Sequence, residues 1–400
     1  MPAAHYTFHH LALSRGCPGK CTFCGSPKFW GPRVRFHSAG YFVGQLEILY
    51  KKGHRFYHIS DDTFTLRKKL VLEICALIVE KKLDITWAAI SRVDCIGQEM
   101  LRAMRMAGFI QISFGVESGS KSIRDELNKK FSEEQIRRAF TLTASFGILT
   151  RAYIIYGCPG ESPETVKETI RLLRDIRPLV TIFHVLAVFP GTFLYDLFKS
   201  QTGATDDIWL HYEEDLFLFE IDKRLSAEMV AQFGKSLKQG LAASIPDFFH
   251  SLELVDDKEL FPFHAGFLSR LALTLDRGDY PHALPEGAAR DLARKPYYKA
   301  LEYAPDSRAY WGLGLLTQAE GADRKAEAIL QEGMQLFPED DILARVLANT
   351  LMRLGREEEA RELMRNRQKK TSIINIRRTG HLFPGQAARP IESVLLTQRI

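Results

Sequence analysis

The sequence predicts an α/β fold, a six-unit (β/α)6 partial barrel followed by an α-helical domain built from tandem repeats. Three observations lead there. Strand-length and helix-length patterns alternate six times between residues 5 and 200. Three cysteines, Cys17, Cys21 and Cys24, sit in a glycine-containing loop just after the first of those strands. Beyond residue 286 small and apolar positions recur every 34 residues.

Length and composition bound the problem. Four hundred residues allow two to three domains, and 46% hydrophobic with 26% charged residues is the composition of a soluble globular protein. The longest apolar run, Val71 to Val79, is broken by Glu73, so no membrane span is expected. The start of the chain has no basic-then-apolar leader pattern, and six cysteines, three of them clustered, fit a reducing cytoplasm better than a disulfide framework. A net charge of +5 is mild, and the one basic stretch, Arg365 to Arg378, reads as a solvated tail; a nucleic-acid partner is not expected.

The alternation justifies each element in turn. A strand over Tyr6 to Leu13 runs into the cysteine loop. Helix Ala39 to Lys52 precedes strand Arg55 to Ser60, helix Leu66 to Lys81 precedes strand Thr86 to Ile90, and helix Gly97 to Ala107 precedes strand Ile110 to Val116. Helices Lys121 to Leu127 and Glu133 to Ser145 lead to strand Arg151 to Tyr156, and helix Glu164 to Ile176 to strand Val180 to Val188. Helix-length crossovers make such strands parallel, and parallel α/β folds place their chemistry at the C-terminal strand ends.

The loop Ser14 to Gly25 has C-x3-C-x2-C spacing, with Pro18 and Gly19 bending the backbone so that three thiols converge on one soft metal centre. Three cysteines leave one iron of a four-iron cluster without a protein thiolate, open to a substrate or cofactor. Gly16, Gly19 and Gly25 permit tight turns, and Phe23 can cover the cluster and contact a planar ligand. The alternatives are core thiols or a structural zinc site, for which His9, His10 and His37 are the nearest fourth ligands.

With an aromatic before its third cysteine, the motif resembles the signature of the radical SAM superfamily. The resemblance implies a six-stranded partial barrel and a [4Fe-4S] cluster on Cys17, Cys21 and Cys24, whose open iron chelates S-adenosylmethionine (SAM). It also implies an external electron donor, reductive cleavage of SAM, and a 5′-deoxyadenosyl radical that takes hydrogen from a substrate the sequence does not name. Further residues follow at the strand ends. Asp61, Asp62 and Thr63, in the segment Ser60-Asp61-Asp62-Thr63-Phe64, stand where the family contacts the methionine ammonium; capping of the next helix is the bland reading. Arg92 could pair with a carboxylate in the pocket or form a surface ion pair. Gly115 and Glu117 in Gly115-Val116-Glu117-Ser118-Gly119 resemble a SAM contact of the cobalamin-linked branch; the bland reading of Glu117 is an acid favoured by a helix dipole. Pro190-Gly191-Thr192 repeats an element of the same branch. Cys158, in Tyr156-Gly157-Cys158-Pro159-Gly160-Glu161, is read as a small core residue rather than a nucleophile.

The cobalamin-linked branch carries a cobalamin domain ahead of its cysteines, whereas here 16 residues precede Cys17 and no Asp-x-His-x-x-Gly motif occurs. The corrinoid is then absent, supplied by a partner, or lost with a missing N-terminal segment. No second cysteine triad is present, which sets aside a two-cluster methylthiotransferase. A non-catalytic iron–sulfur scaffold that recruits partners is the alternative function; unpaired acids around the pocket count against it.

Beyond the barrel, residues 201–285, with Trp209, Tyr212, Phe217 and Phe219, are expected to close its open side and line the substrate pocket. Residues 286–368 pair Leu313 with Leu347, Gly314 with Ala348, Ala326 with Ala360 and Leu330 with Met364, a tetratricopeptide-like period that could offer a groove to a peptide or protein partner. Residues 369–400 are expected to be a poorly ordered basic tail.

Overall fold

Every expected barrel strand enters one six-stranded parallel sheet in which consecutive βα units lie side by side. The computed structural model describes residues 9–31, 33–210, 224–277 and 287–378. They divide into two units at Asp256/Asp257. The first unit begins with β1 (His9–Leu11), β2 (Ser14–Arg15), α1 (Ser26–Trp30), β3 (Arg35–Phe36), α2 (Ala39–Lys51) and β4 (Phe56–Ile59). It continues with α3 (Lys68–Glu80), β5 (Thr86–Ser91), α4 (Gln98–Met106), β6 (Phe109–Glu117), α5 (Lys121–Glu126), α6 (Glu133–Ser145) and β7 (Leu149–Tyr156). It closes with α7 (Pro163–Ile176), β8 (Val180–Val185), α8 (Phe193–Thr202), α9 (Ala227–Ala242) and α10 (Ile245–Ser251). The N-terminal part of the first expected strand, Tyr6 to Phe8, lies outside the described residues.

Alternation along the strands sorts their side chains onto two faces. Tyr57, Ile59, Trp87, Ala89, Ile112, Phe114, Ala152 and Ile154 are buried beneath the helix layer, where Phe42, Leu46, Val71 and Ile74 are also buried. Trp87 anchors this layer. Its ring lies 5.3 Å from Phe64 and 4.5 Å from Phe109, and its indole N–H donates to the Ala107 carbonyl at 2.8 Å. Serine caps start the helices where the patterns begin: Ser38 for α2, and capping boxes of Ser132 with Gln135 and Ser162 with Thr165 for α6 and α7.

Two features escaped the sequence reading. A two-residue antiparallel pairing of β2 with β3 closes the base of the cysteine loop, and it is too short to leave a periodic signal. Strand β8 ends at Val185, not Val188, although the Leu186 amide still donates to the Tyr156 carbonyl at 2.8 Å; Val185, Leu186 and Ala187 all line a cavity. Within the first unit, none of the described residues 201–210 and 224–256 lines that cavity. Helix α9 instead packs on α7 and the end of β7, where Gly240 meets Ile170 and Gly234 meets Tyr156. Tyr212, Phe217 and Phe219 lie outside the described residues.

In the second unit α11 (Phe261–Arg277) and α12 (Ala288–Tyr303) precede α13 (Ser307–Ala319), α14 (Asp323–Leu336), α15 (Asp341–Arg353) and α16 (Glu357–Arg378). Helices α13 and α15 start 34 residues apart, as do α14 and α16, and the caps Asp306 and Asp340 keep the same spacing. Gly314 is the close-contact point of the first pair: a Cβ there would lie 2.5 Å from Leu330. Helix α16 continues to Arg378, past Gln368 where the tail was expected to begin, because Lys369 to Arg378 contains no glycine or proline to stop it. The rest of the expected tail, residues 379–400, lies outside the described residues.

The β6–α5 turn depends on a glycine. A Cβ on Gly119 would stand 2.4 Å from Thr169 Cα and 2.6 Å from the Glu168 carbonyl oxygen, both backbone atoms of α7. Gly119→Ala is therefore expected to cost about 1–3 kcal/mol, measured by urea unfolding.

Candidate cofactor site

A cavity of about 480 Å³ opens at the C-terminal ends of the sheet, and Cys17, Cys21 and Cys24 all stand on its wall. The loop that carries them is braced from two sides. Leu127 and Glu126, at the end of α5, accept from the Thr22 N–H (3.2 Å) and hydroxyl (3.1 Å), Asn128 donates to the Lys20 carbonyl at 2.6 Å, and Leu194 N–H donates to the Thr22 carbonyl at 3.2 Å. Gly19 is required by close approach: its amide donates to Cys17 Sγ at 3.4 Å, and a Cβ would meet Cys17 Sγ and Arg92 Nη1 at 3.3 Å. That cradle, with three converging thiols, fits an iron–sulfur group. Among the described residues no three His, Cys, Asp or Glu side chains close around a single ion. Burial pushes the Cys21 and Cys24 thiols above their ordinary value, a cost that binding to a cationic metal group would reverse.

The expected residues Phe23, Asp62, Thr63, Gly115 and Glu117 share the cavity wall with the cysteines. Thr63 Oγ1 lies 3.8 Å from Cys17 Sγ, and Asp62 accepts from the Ser26 hydroxyl at 2.5 Å. Asp61 does not join them. It is 2% exposed, accepts from the Leu13 amide at 2.7 Å and from the Ser14 hydroxyl, and so fastens the entry of the cysteine loop to the end of β4. Arg92 reaches the wall but is clamped in a two-point pair by Asp94, at 2.9 and 2.7 Å, which raises it above its ordinary value.

Glu117 adopts φ +66, a left-handed conformation disfavoured for a side-chain-bearing residue, at a register shift in the β6–β7 ladder. Its side chain folds back over Gly115, where a Cβ would lie 2.4 Å from its carboxylate. The carboxylate pairs at 2.8 Å with Lys129, and both side chains are nearly buried, 7% and 10% exposed. Lys129 also donates to the Gly115 carbonyl at 3.3 Å and lies 5.9 Å from the Phe23 ring centroid. Burial pulls the Lys129 ammonium down, but Glu117, then Cys21, outweigh it, and the net shift is upward.

Sequence reasoning missed Lys129. It sits in a short loop between two helices with no spacing that marks it, and only the tertiary fold carries it to Glu117. Tyr153 and His184, stacked at 5.9 Å, and the apolar Ile155, Leu186 and Phe189 complete the opposite wall and were missed for the same reason. Cys158 lies outside the cavity, fully buried, with its thiol donating to the Ile155 carbonyl at 3.7 Å. Beside it Glu161 accepts from the Gly157 and Cys158 amides, and burial pushes its carboxyl up to about 7 in spite of them.

Residues 11–173 match the Radical SAM superfamily, and this part of the chain is a radical SAM domain. An uncharacterized methyltransferase of Pyrococcus horikoshii is 35% identical over 206 residues, 51% of this chain and 45% of that protein. The anaerobic magnesium-protoporphyrin IX monomethyl ester cyclase of Rubrivivax gelatinosus is 31% identical over 48% of this chain and 35% of its own length. A radical S-adenosylmethionine methyltransferase from Kitasatospora setae, solved with tryptophan and a SAM analogue, aligns with a TM-score of 0.47 at 21% identity, over 49% of this chain and 39% of that one. The chain thus spans between a third and a half of the length of these relatives.

Lys129→Met leaves Glu117 as a buried, unpaired carboxylate, and is expected to cost about 3–5 kcal/mol in urea unfolding. Adding Glu117→Gln to it recovers most of that loss. The folded carboxyl of Glu161 holds its proton to a higher pH than its ordinary 4.5. Its stabilising contribution is therefore complete below pH 4.5 and lost as pH rises to about 7. Glu161→Gln should remove that slope, shifting the variant's stability relative to the native chain by roughly 2–3 kcal/mol between pH 4.5 and pH 8.

Proposed function

We propose that this protein is a radical SAM enzyme. The observation that carries the reading is one cavity shared by three thiols, with no other cysteine on its wall, and a buried acid–base pair, Glu117 with Lys129. Cys17, Cys21 and Cys24 hold a [4Fe-4S] cluster, and the Gly19 amide tempers the Cys17 sulfur by hydrogen bonding. A cluster held there would supply the one-electron reduction of SAM, with the electron from an external donor, that radical hydrogen abstraction from the substrate requires.

The protein's own residues bind and orient. Asp62 and Thr63 would contact the ammonium of SAM, and Glu117 would accept from the ammonium or the ribose diol while Lys129 holds its carboxylate in place. Phe23, on the same wall, would cover the cluster. Tyr153, Ile155, Leu186 and Phe189 supply an apolar wall that limits water around a reactive intermediate. The outcome is methyl transfer or another C–H functionalisation, and cobalamin is not part of the proposed set. Helices α13 to α16 form tetratricopeptide-like repeats that offer a surface to a peptide or protein partner. Among the described residues no helix is long and apolar enough to cross a membrane, and the free thiols favour work in a reducing cytoplasm.

The test is anaerobic: reconstitute the cluster, add reductant and SAM, and quantify 5′-deoxyadenosine. The native chain should form it and Cys21→Ala should not. An iron-loaded native protein that neither binds SAM nor forms the nucleoside would overturn the reading.

A further inference from the structure

Beneath the cofactor cavity the inner face of the sheet is polar. Ile90, Gly115, Tyr153 and Ile155 line the cavity, and one alternation step toward the strand N-termini on β6 and β7 brings Ser113 and Arg151, which face each other in the ladder. That step is about 7 Å. Ser113 is 0% exposed and its hydroxyl has no partner among the described residues. The Arg151 Nε is likewise buried without a partner. His58, on the same inner face of β4, feels the charges of both His10 and Arg151. Its Nδ1 lies 3.4 Å from the Ser60 hydroxyl, which His10 Nδ1 approaches at 2.8 Å.

Arg151 is only half-buried as a whole, so the fork beyond its buried Nε stays open to a ligand that would neutralise it. No carboxylate of the described residues pairs with Arg151. A planar fork, a free hydroxyl and an imidazole are instead the donors that recognise an oxyanion. Burial, then the neighbouring His10 and Arg151, pushes His58 below its ordinary value, so at neutral pH the ring brings one N–H and no added charge.

We propose that Arg151, Ser113 and His58 form an oxyanion subsite in the barrel floor, which binds a carboxylate or phosphate group of the substrate. Resting on the radical SAM reading, this subsite holds the anionic end about one side-chain layer below the cavity and leaves the rest of the molecule beside Tyr153 and Ile155. The substrate is then a small acid or phosphate ester with a C–H bond a few ångströms from its charged group.

The test is equilibrium dialysis of the reconstituted full chain against radiolabelled inorganic phosphate and, separately, succinate, with SAM binding measured on the same samples. At least one anion should bind at one site per chain, and the one that binds says which chemistry the subsite takes. Arg151→Met should weaken it about tenfold or more, and Ser113→Ala severalfold. Because Arg151 has no partner to lose, Arg151→Met should also leave the urea midpoint unchanged or raise it, whereas a structural arginine would lower it. Binding of neither anion, or binding that survives both substitutions, overturns the subsite. Anion binding that depends on Arg151 in a protein that does not bind SAM would sink the radical SAM reading and leave the subsite standing.

Discussion

The site depends on a short seam between the first two strands of the barrel. The β1–β4 ladder continues beyond the strands through the Ser60 amide to the Leu11 carbonyl at 2.7 Å and the Leu13 amide to Asp61 at 2.7 Å. The Asp61 carboxylate thereby fixes where the chain leaves the sheet. Everything between Gly16 and Val34 hangs from that point and from the β2–β3 pairing. A loop with three thiols aimed inward has little burial of its own to hold it, so its shape is imposed by backbone hydrogen bonds at its root and by braces from α5 and α8.

Charge is distributed in the same economical way. Among the described residues Arg92 and Lys129 both stand on the cavity wall, and each has a different fate. Arg92 is clamped by Asp94, a neighbour in sequence, and is largely committed to the turn after β5. Lys129 is held by Glu117, whose strained backbone points its carboxylate back over Gly115. A strained residue persists only where its surroundings over-determine it, and a buried ion pair with a third contact to a carbonyl does so. Arg151, in the layer below, has no such acid among the described residues. The contrast is what gives that layer a chemical meaning different from the wall above it.

Much of the barrel was legible in the sequence because its signals are local. Helices such as Glu133–Ser145 carry their own caps and apolar periodicity, and strands such as Leu149–Tyr156 carry alternation. The 34-residue offset of α13 and α15 was legible too, since a repeat is a comparison of the chain with itself. What failed were features shorter than a period, as with β2 and β3, and exact strand ends, as with β8. Asp61 and Asp62 make the point within a single dipeptide: adjacent carboxylates of one chemical type, one buried in the seam and one on the cavity wall.

By itself the sequence determined the βα alternation, the spacing of Cys17, Cys21 and Cys24, and the acid at Glu117, because each is written in residues close together in the chain. Only the tertiary structure decided that Asp61 serves the fold, that Lys129 meets Glu117, and that Arg151 lies beside Ser113. Those facts depend on strand register and on loops returning across many residues of chain, and no local propensity encodes the distance between two side chains that meet only after the sheet has formed.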